Sequence, residues 1–180
     1  MFEFIADRPA LDFVPTLAER GSAADEHLRH PADLVAWAAE SGLVDDVITV
    51  TKAELEQARA LREAIFGLVG ALINHATADA GDRALVNRAA SRPGSTAQLD
   101  DQGRVRRTGG LDALLSVLAA DCLDLHDSPD RYHLRWCADS RCTRPFVDRS
   151  HGQRRRWCGM KGCGDRAKAA AYRRRQRAAP

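Results

Sequence analysis

Four of the five cysteines fall into two like pairs. Cys137 and Cys142 enclose Ala-Asp-Ser-Arg, Cys158 and Cys163 enclose Gly-Met-Lys-Gly, and fifteen residues separate the pairs. Zn²⁺ takes four soft ligands in a tetrahedron, and two short knuckles brought together supply them. Four thiolates close the coordination sphere and leave no position for water, so the expected site is one structural Zn²⁺ per chain and not a catalytic one. Gly159, Gly162 and Gly164 let the backbone turn tightly around a metal. The last fifty residues hold few large apolar groups. A structural zinc, worth about 10–16 kcal/mol in a small module, substitutes for the missing core. Cys122 lies on an apolar helical stripe with Leu111, Leu115, Leu118 and Leu125, where it is a small buried hydrophobe outside the site. His133 and His151 lie close to the pairs and could each replace a cysteine, but a surface or outer-shell role is the preferred reading.

Around the cysteines the side chains are basic. The spacer carries Arg149, Arg154, Arg155 and Arg156, the second knuckle carries Lys161, and Arg166, Lys168, Arg173, Arg174, Arg175 and Arg177 follow it. A spacer whose ends are held by metal presents guanidinium groups to phosphates in a fixed arrangement. Asp165 is expected to cap the helix after Cys163 by accepting from N–H groups one turn on, and the alanines beyond it favour helix. Ala167, Ala170, Ala171 and Tyr172 would then lie against the zinc module with the cations outward. Tyr132, Trp136, Phe146, Trp157 and Tyr172 could stack RNA bases, but packing inside the module is the reading preferred for all except Tyr132.

Charge divides the chain in the same way. Residues 1–130 hold 12 Lys and Arg against 22 Asp and Glu, a net −10, and residues 131–180 hold 15 against 3, a net +12. Such an asymmetry suits a neutral or acidic body bearing a module that faces nucleic acid or an anionic membrane surface, and the alternative is that the two halves pack together and cancel. The N-terminus lacks a basic start followed by an apolar core, so it is not read as a secretory signal. No run approaches the ~18 apolar residues of a membrane span. The expected setting is cytoplasmic and reducing, where cysteines serve metals or burial instead of disulfides.

The elements that must position these groups are mostly helical. Pro31, Asp33 and Gly42 bracket a helix over 31–42 with Leu34, Val35, Trp37 and Ala38 on one broad face. Residues 45–51 are a β-branched strand or loop. Thr51 and Glu54 form a capping-box pattern ahead of Leu55, Ala58, Leu61, Ile65, Leu68 and Leu72, a core-facing helix running to about His75. A shorter helix over 82–90, a hairpin over 96–108 and a helix over 110–127 follow, and Ser128-Pro129-Asp130 breaks the chain. The expected fold class is α+β: a mostly helical α/β domain over 1–130 with a short hairpin, then a zinc ribbon-like module and basic helix over 131–180.

The arrangement Cys137, Cys142, Trp157, Cys158, Cys163, Gly164, Arg166, Lys168, Tyr172 and Arg173 resembles the CGNR zinc finger. The stretches "ALDFVPTL", "PADLVAWAAESGLV" and "ARALREAIFGLV" are similar to the ABATE domain, which usually precedes that finger and is named for stress-induced transcription regulation. The resemblance implies a bacterial, zinc-containing, stress- or ligand-responsive regulator that binds DNA. Asp165 stands where the signature has Asn: as a helix cap, the preferred reading, it would serve equally well, whereas at a contact with a base or phosphate its carboxylate would repel the backbone and alter base preference. Pro15 stands where the front pattern usually has Asn, so no ligand site is assigned there.

The leading expectation is therefore a DNA-binding transcriptional regulator, with a homodimer on two half-sites and a small-molecule effector of the front domain as further expectations. The alternatives are an RNA-binding protein or a protein-interaction adaptor using the basic module. There is no phosphate-binding glycine loop, open metal site or paired Ser/His or Cys/His signature, so an enzyme is not expected.

Overall fold

The computed structural model describes residues 2–21, 23–47 and 49–178. The helices over Lys52–Ile73 and Ala80–Ala90 begin where a neighbouring residue supplies a cap for their orphan N–H groups. α1 (Pro9–Phe13) is short and runs into a 3₁₀ turn over Val14–Thr16, and both are buried. Two-residue strands β1 (Leu17–Ala18) and β2 (Asp25–Glu26) pair antiparallel. α2 (Pro31–Ser41) starts with proline in its first turn, where no N–H is lost. It ends at Gly42, whose φ of 65° is a left-handed conformation that glycine adopts without strain.

α3 (Lys52–Ile73) opens on the expected capping box: Glu54 N–H donates to Thr51 Oγ1 at 3.2 Å, and Thr51 N–H donates to Glu54 Oε2 at 2.7 Å. The described residues between α2 and α3 form loop and not strand, and Ile48, within the expected 45–51 run, lies outside the described residues. α4 (Ala80–Ala90) starts two residues earlier than the apolar pattern indicates, because Asp79 accepts from Gly81 N–H at 2.7 Å and Asp82 N–H at 3.0 Å. The hairpin of β3 (Thr96–Leu99) and β4 (Val105–Thr108) is fully exposed. α5 (Gly110–Asp127) has no cap of its own. Asp46, from the distant loop, accepts from Gly109 N–H at 3.0 Å and Gly110 N–H at 2.8 Å.

The apolar stripes of these helices meet in one core around Phe13, Leu34, Trp37, Leu61, Ile65, Leu114 and Leu118, with Cys122 fully buried among them. Phe13 meets Trp37 edge-on at 4.8 Å between ring centroids. Arg62, on the inner side of α3, is only 2% exposed. Glu26 grips it with two 2.7 Å hydrogen bonds, and Glu63 accepts from its Nε at 2.7 Å. Burial works against the charge on Glu26 and on Glu63, but hydrogen bonds and charge from Arg62, joined by Arg20 at Glu63, outweigh it and hold both carboxyls below the usual range.

After the Pro129–His133 3₁₀ turn, β5 (Leu134–Trp136) pairs antiparallel with β6 (Pro145–Val147). Leu134 and Val147 pack into the main core. Trp136 lies against Phe66 with ring centroids 5.4 Å apart and donates its indole N–H to Asn74 Oδ1 at 3.2 Å. The chain closes with α6 (Asp165–Ala178). Among the described residues no helix is long and apolar enough to cross a membrane.

Candidate metal centre and nucleic-acid face

The first cysteine pair sits at the turn of the β5–β6 hairpin. Cys137 N–H donates to Arg144 carbonyl at 3.1 Å and Cys142 N–H to Asp139 carbonyl at 2.9 Å, which folds the knuckle back on itself. Ala138 N–H donates to the carbonyl of Arg156 at 2.8 Å, so the spacer returns alongside the knuckle and delivers Cys158. The second pair is built differently. Gly162, with φ of 80° and ψ of −92°, breaks the path between Cys158 and α6 in a conformation closed to other residues, and Cys163 lands just ahead of the helix. Only the first knuckle is a ribbon.

The four Sγ atoms lie within 4.8 Å of one another. Cys142 and Cys158 are 3.8 Å apart, as are Cys158 and Cys163. A tetrahedron with Zn–S bonds of about 2.3 Å has edges of about 3.8 Å, so the spacing fits Zn²⁺. Without a cation the thiols do not ionise alike: the contact with Cys142 holds Cys137 well below the usual range, whereas burial and the neighbouring Cys142 and Cys137 push Cys163 up to about 12. A dication at the centre reverses that balance and makes all four thiolates ligands. Cys137, Cys142, Cys158 and Cys163 thus hold one structural zinc, with Phe146, 1% exposed, packed beside them. His133 and His151 are not in the set.

Outer partners complete the centre. Arg166 donates to Cys163 Sγ at 3.0 Å and to Asp139 Oδ2 at 2.8 Å, which ties α6 to the first knuckle through the metal ligand. Arg155 lies over the Phe146 ring at 4.7 Å and donates to the carbonyls of Trp157 and Cys158. Asp148, 1% exposed, accepts from the N–H groups of Ser150 and Arg155 at 3.0 and 2.9 Å and so shapes the spacer.

These contacts revise the set of outward cations. Arg155 and Arg166 brace the zinc centre, and Arg149 pairs with Asp130 at 2.6 Å and Asp7 at 3.5 Å. Each found an acceptor that the linear sequence does not place beside it. Arg154, Arg156, Lys161, Lys168, Arg173, Arg174, Arg175 and Arg177 are exposed and make no ion pair among the described residues. Ala167, Ala170 and Ala171 form the half-buried side of α6, but Tyr172 is 57% exposed and does not pack as expected. Trp136 packs on α3 instead of inside the module, and Tyr132 is 70% exposed.

Asp165 is not an N-cap. Its φ of −69° and ψ of −38° are helical, and it donates its charge to the first turn instead of accepting from N–H groups. The reason is the preceding turn, in which Gly164 N–H already donates to Gly159 carbonyl at 3.1 Å. Arg131, Arg135, Arg141 and Arg144 are not among the sequence candidates, and of these Arg141, inside the first knuckle, lines a groove of about 410 Å³ with Trp157, Ala170, Arg173 and Arg174. Its signal was its place between two ligands.

Residues 7–129 match the family described as "ABATE: Putative stress-induced transcription regulator", and residues 133–176 match the family described as "CGNR zinc finger". No curated protein matches the chain.

Proposed function

Because the chain belongs to the ABATE family and carries a CGNR zinc finger behind that domain, we propose that it is a zinc-dependent, DNA-binding transcriptional regulator of the cell interior, responsive to stress. The observation that carries this reading is the run of exposed cations on α6, a helix whose start is held at the zinc site. Ala167 and Ala170 line a groove with the first knuckle, Arg173 and Arg174 stand on the same groove, and these two with Lys168, Arg175 and Arg177 are exposed with no ion pair among the described residues. Zinc fixes the start of α6 through Cys163 and Arg166 and aims this face at phosphates. Metal chemistry here is structural: the bound Zn²⁺ supplies cohesion, and the side chains supply contact.

Neutralising five or six phosphates gives a slope of about −4.5 to −5.4 for log K against log salt on duplex DNA. Replacing Arg173, Arg174 and Arg175 by Ala removes about three contacts and flattens the slope by about 2.7. Arg149→Ala should leave it unchanged, since that guanidinium is held by Asp130. An Arg149 variant with the larger effect would refute this assignment of the face. A hollow of about 210 Å³ lined by Glu3, Asp12, Thr16, His27 and Arg144, beside Pro15, is where an effector of the front domain would sit. The exposed Tyr172 among arginines favours a second reading, in which unpaired bases stack on α6; competition of duplex against single-stranded RNA decides between them.

A further inference from the structure

The four zinc ligands are not equivalent. Cys142, Cys158 and Cys163 line a cleft of about 190 Å³ between the front domain and the zinc module, with Lys161 and Arg144 on its walls. Cys137, Cys158 and Cys163 are each 7% exposed or less, whereas Cys142 is only partly buried. Their hydrogen bonding differs too. Cys137 Sγ accepts from Cys158 N–H at 3.5 Å, and Cys163 Sγ accepts from Arg166 at 3.0 Å. The Sγ of Cys142 meets the Sγ of Cys158 at 3.8 Å, and among the described residues no N–H donor reaches it.

An N–H donor draws electron density from a metal-bound thiolate and makes it a poorer nucleophile, and burial keeps reagents away. Cys142 escapes both restraints. We propose that Cys142 is a modification site, the zinc thiolate that reacts first with hydrogen peroxide entering through this cleft. The Cys142 sulfur attacks one peroxide oxygen, the O–O bond breaks, and hydroxide leaves as the sulfenic acid forms. The Cys158 sulfur then attacks the Cys142 sulfur, an S–S bond forms, and a second hydroxide leaves. Two thiolates lose two electrons in all, the peroxide gains them, and solvent protonates both hydroxides to water. Two ligands are gone at that point, so the zinc departs and the fixed start of α6 at Cys163 is lost. A thiol reductant and fresh zinc reverse the change.

This inference rests on the zinc-regulator reading, but its test measures sulfur and zinc, so DNA binding can fail without touching it. The full-length zinc-loaded protein is treated with hydrogen peroxide below one equivalent. Free zinc is followed with a chromogenic chelator, and the products are mapped by peptide mass. The expected products are a Cys142–Cys158 disulfide and released zinc, both reversed by dithiothreitol with added zinc. Cys142→His keeps a nitrogen ligand and should release zinc at least about tenfold more slowly. An unchanged rate in that variant overturns the proposal. Should the variant fail to load zinc, limiting iodoacetamide on the wild-type protein decides: first labelling at Cys142 supports the site, and first labelling at Cys137, Cys158, Cys163 or Cys122 overturns it.

Discussion

Arg166 shows how one side chain can serve a site without touching what the site is for. Its guanidinium spans Cys163 Sγ and Asp139, and that pairing holds the Asp139 carboxyl below the usual range. Arg166→Ala should lower zinc affinity about 10-fold, read by competition with a fluorescent chelator, while Lys168→Ala leaves it unchanged. The cysteines themselves were legible because their pairing and spacing are dictated by the metal, whatever the chain around them does. The arginines were not. Sequence ranks Arg149, Arg155 and Arg166 alongside Arg154 and Arg174, and only the fold shows that Asp130, two carbonyls and a thiolate claim the first three. Asp165 was misplaced for a related reason: the turn around Gly162 hands the chain to α6 already helical, so no capping position remains there.

Helices were readable wherever an apolar period and a local stop coincided, as in α2 and in α3 with its Thr51–Glu54 capping box. They were unreadable where the stop came from elsewhere, as when Asp46 closes α5 from 63 residues away. The inner side of α3 hid another long-range choice, Arg62 with Glu26 and Glu63. Both carboxyls are depressed in the folded state, so their stabilisation is complete above an unfolded value of 4.5 and fades as pH falls through the lower folded values. Glu26→Gln should therefore flatten the loss of stability between pH 5 and 3 in urea titrations. Arg62→Ala should cost about 3 kcal/mol at pH 7, since it removes both 2.7 Å bonds that Glu26 accepts at a partly buried site and leaves that carboxylate only Arg59 and the Leu28 N–H. A neutral Arg62 variant would mean that the cluster is solvated.

Across the whole molecule, the front domain and the zinc module share structure instead of merely neighbouring each other. Leu134 and Val147 enter the main core, Trp136 rests on Phe66, and Arg8 gathers Asp121 at 2.9 Å and Asp130 at 3.1 Å at the junction. Part of the charge split is consumed there, where Arg149 meets Asp7 and Asp130 and Arg144 meets Glu3 at 3.0 Å. The remaining positive charge of residues 131–180 lies on α6, the spacer, Lys161, Arg141 and the Arg131–Arg135 segment. An event at the seam can thus alter how α6 is held, which is what a regulator needs. Whether zinc organises this face to read DNA is decided by selection from a randomised duplex pool at physiological salt. Zinc-loaded protein should enrich a motif that disappears when a chelator removes the metal. Retention without any enriched motif, unchanged by chelation, would contradict that role for zinc and leave the arginines as a general anion-binding surface.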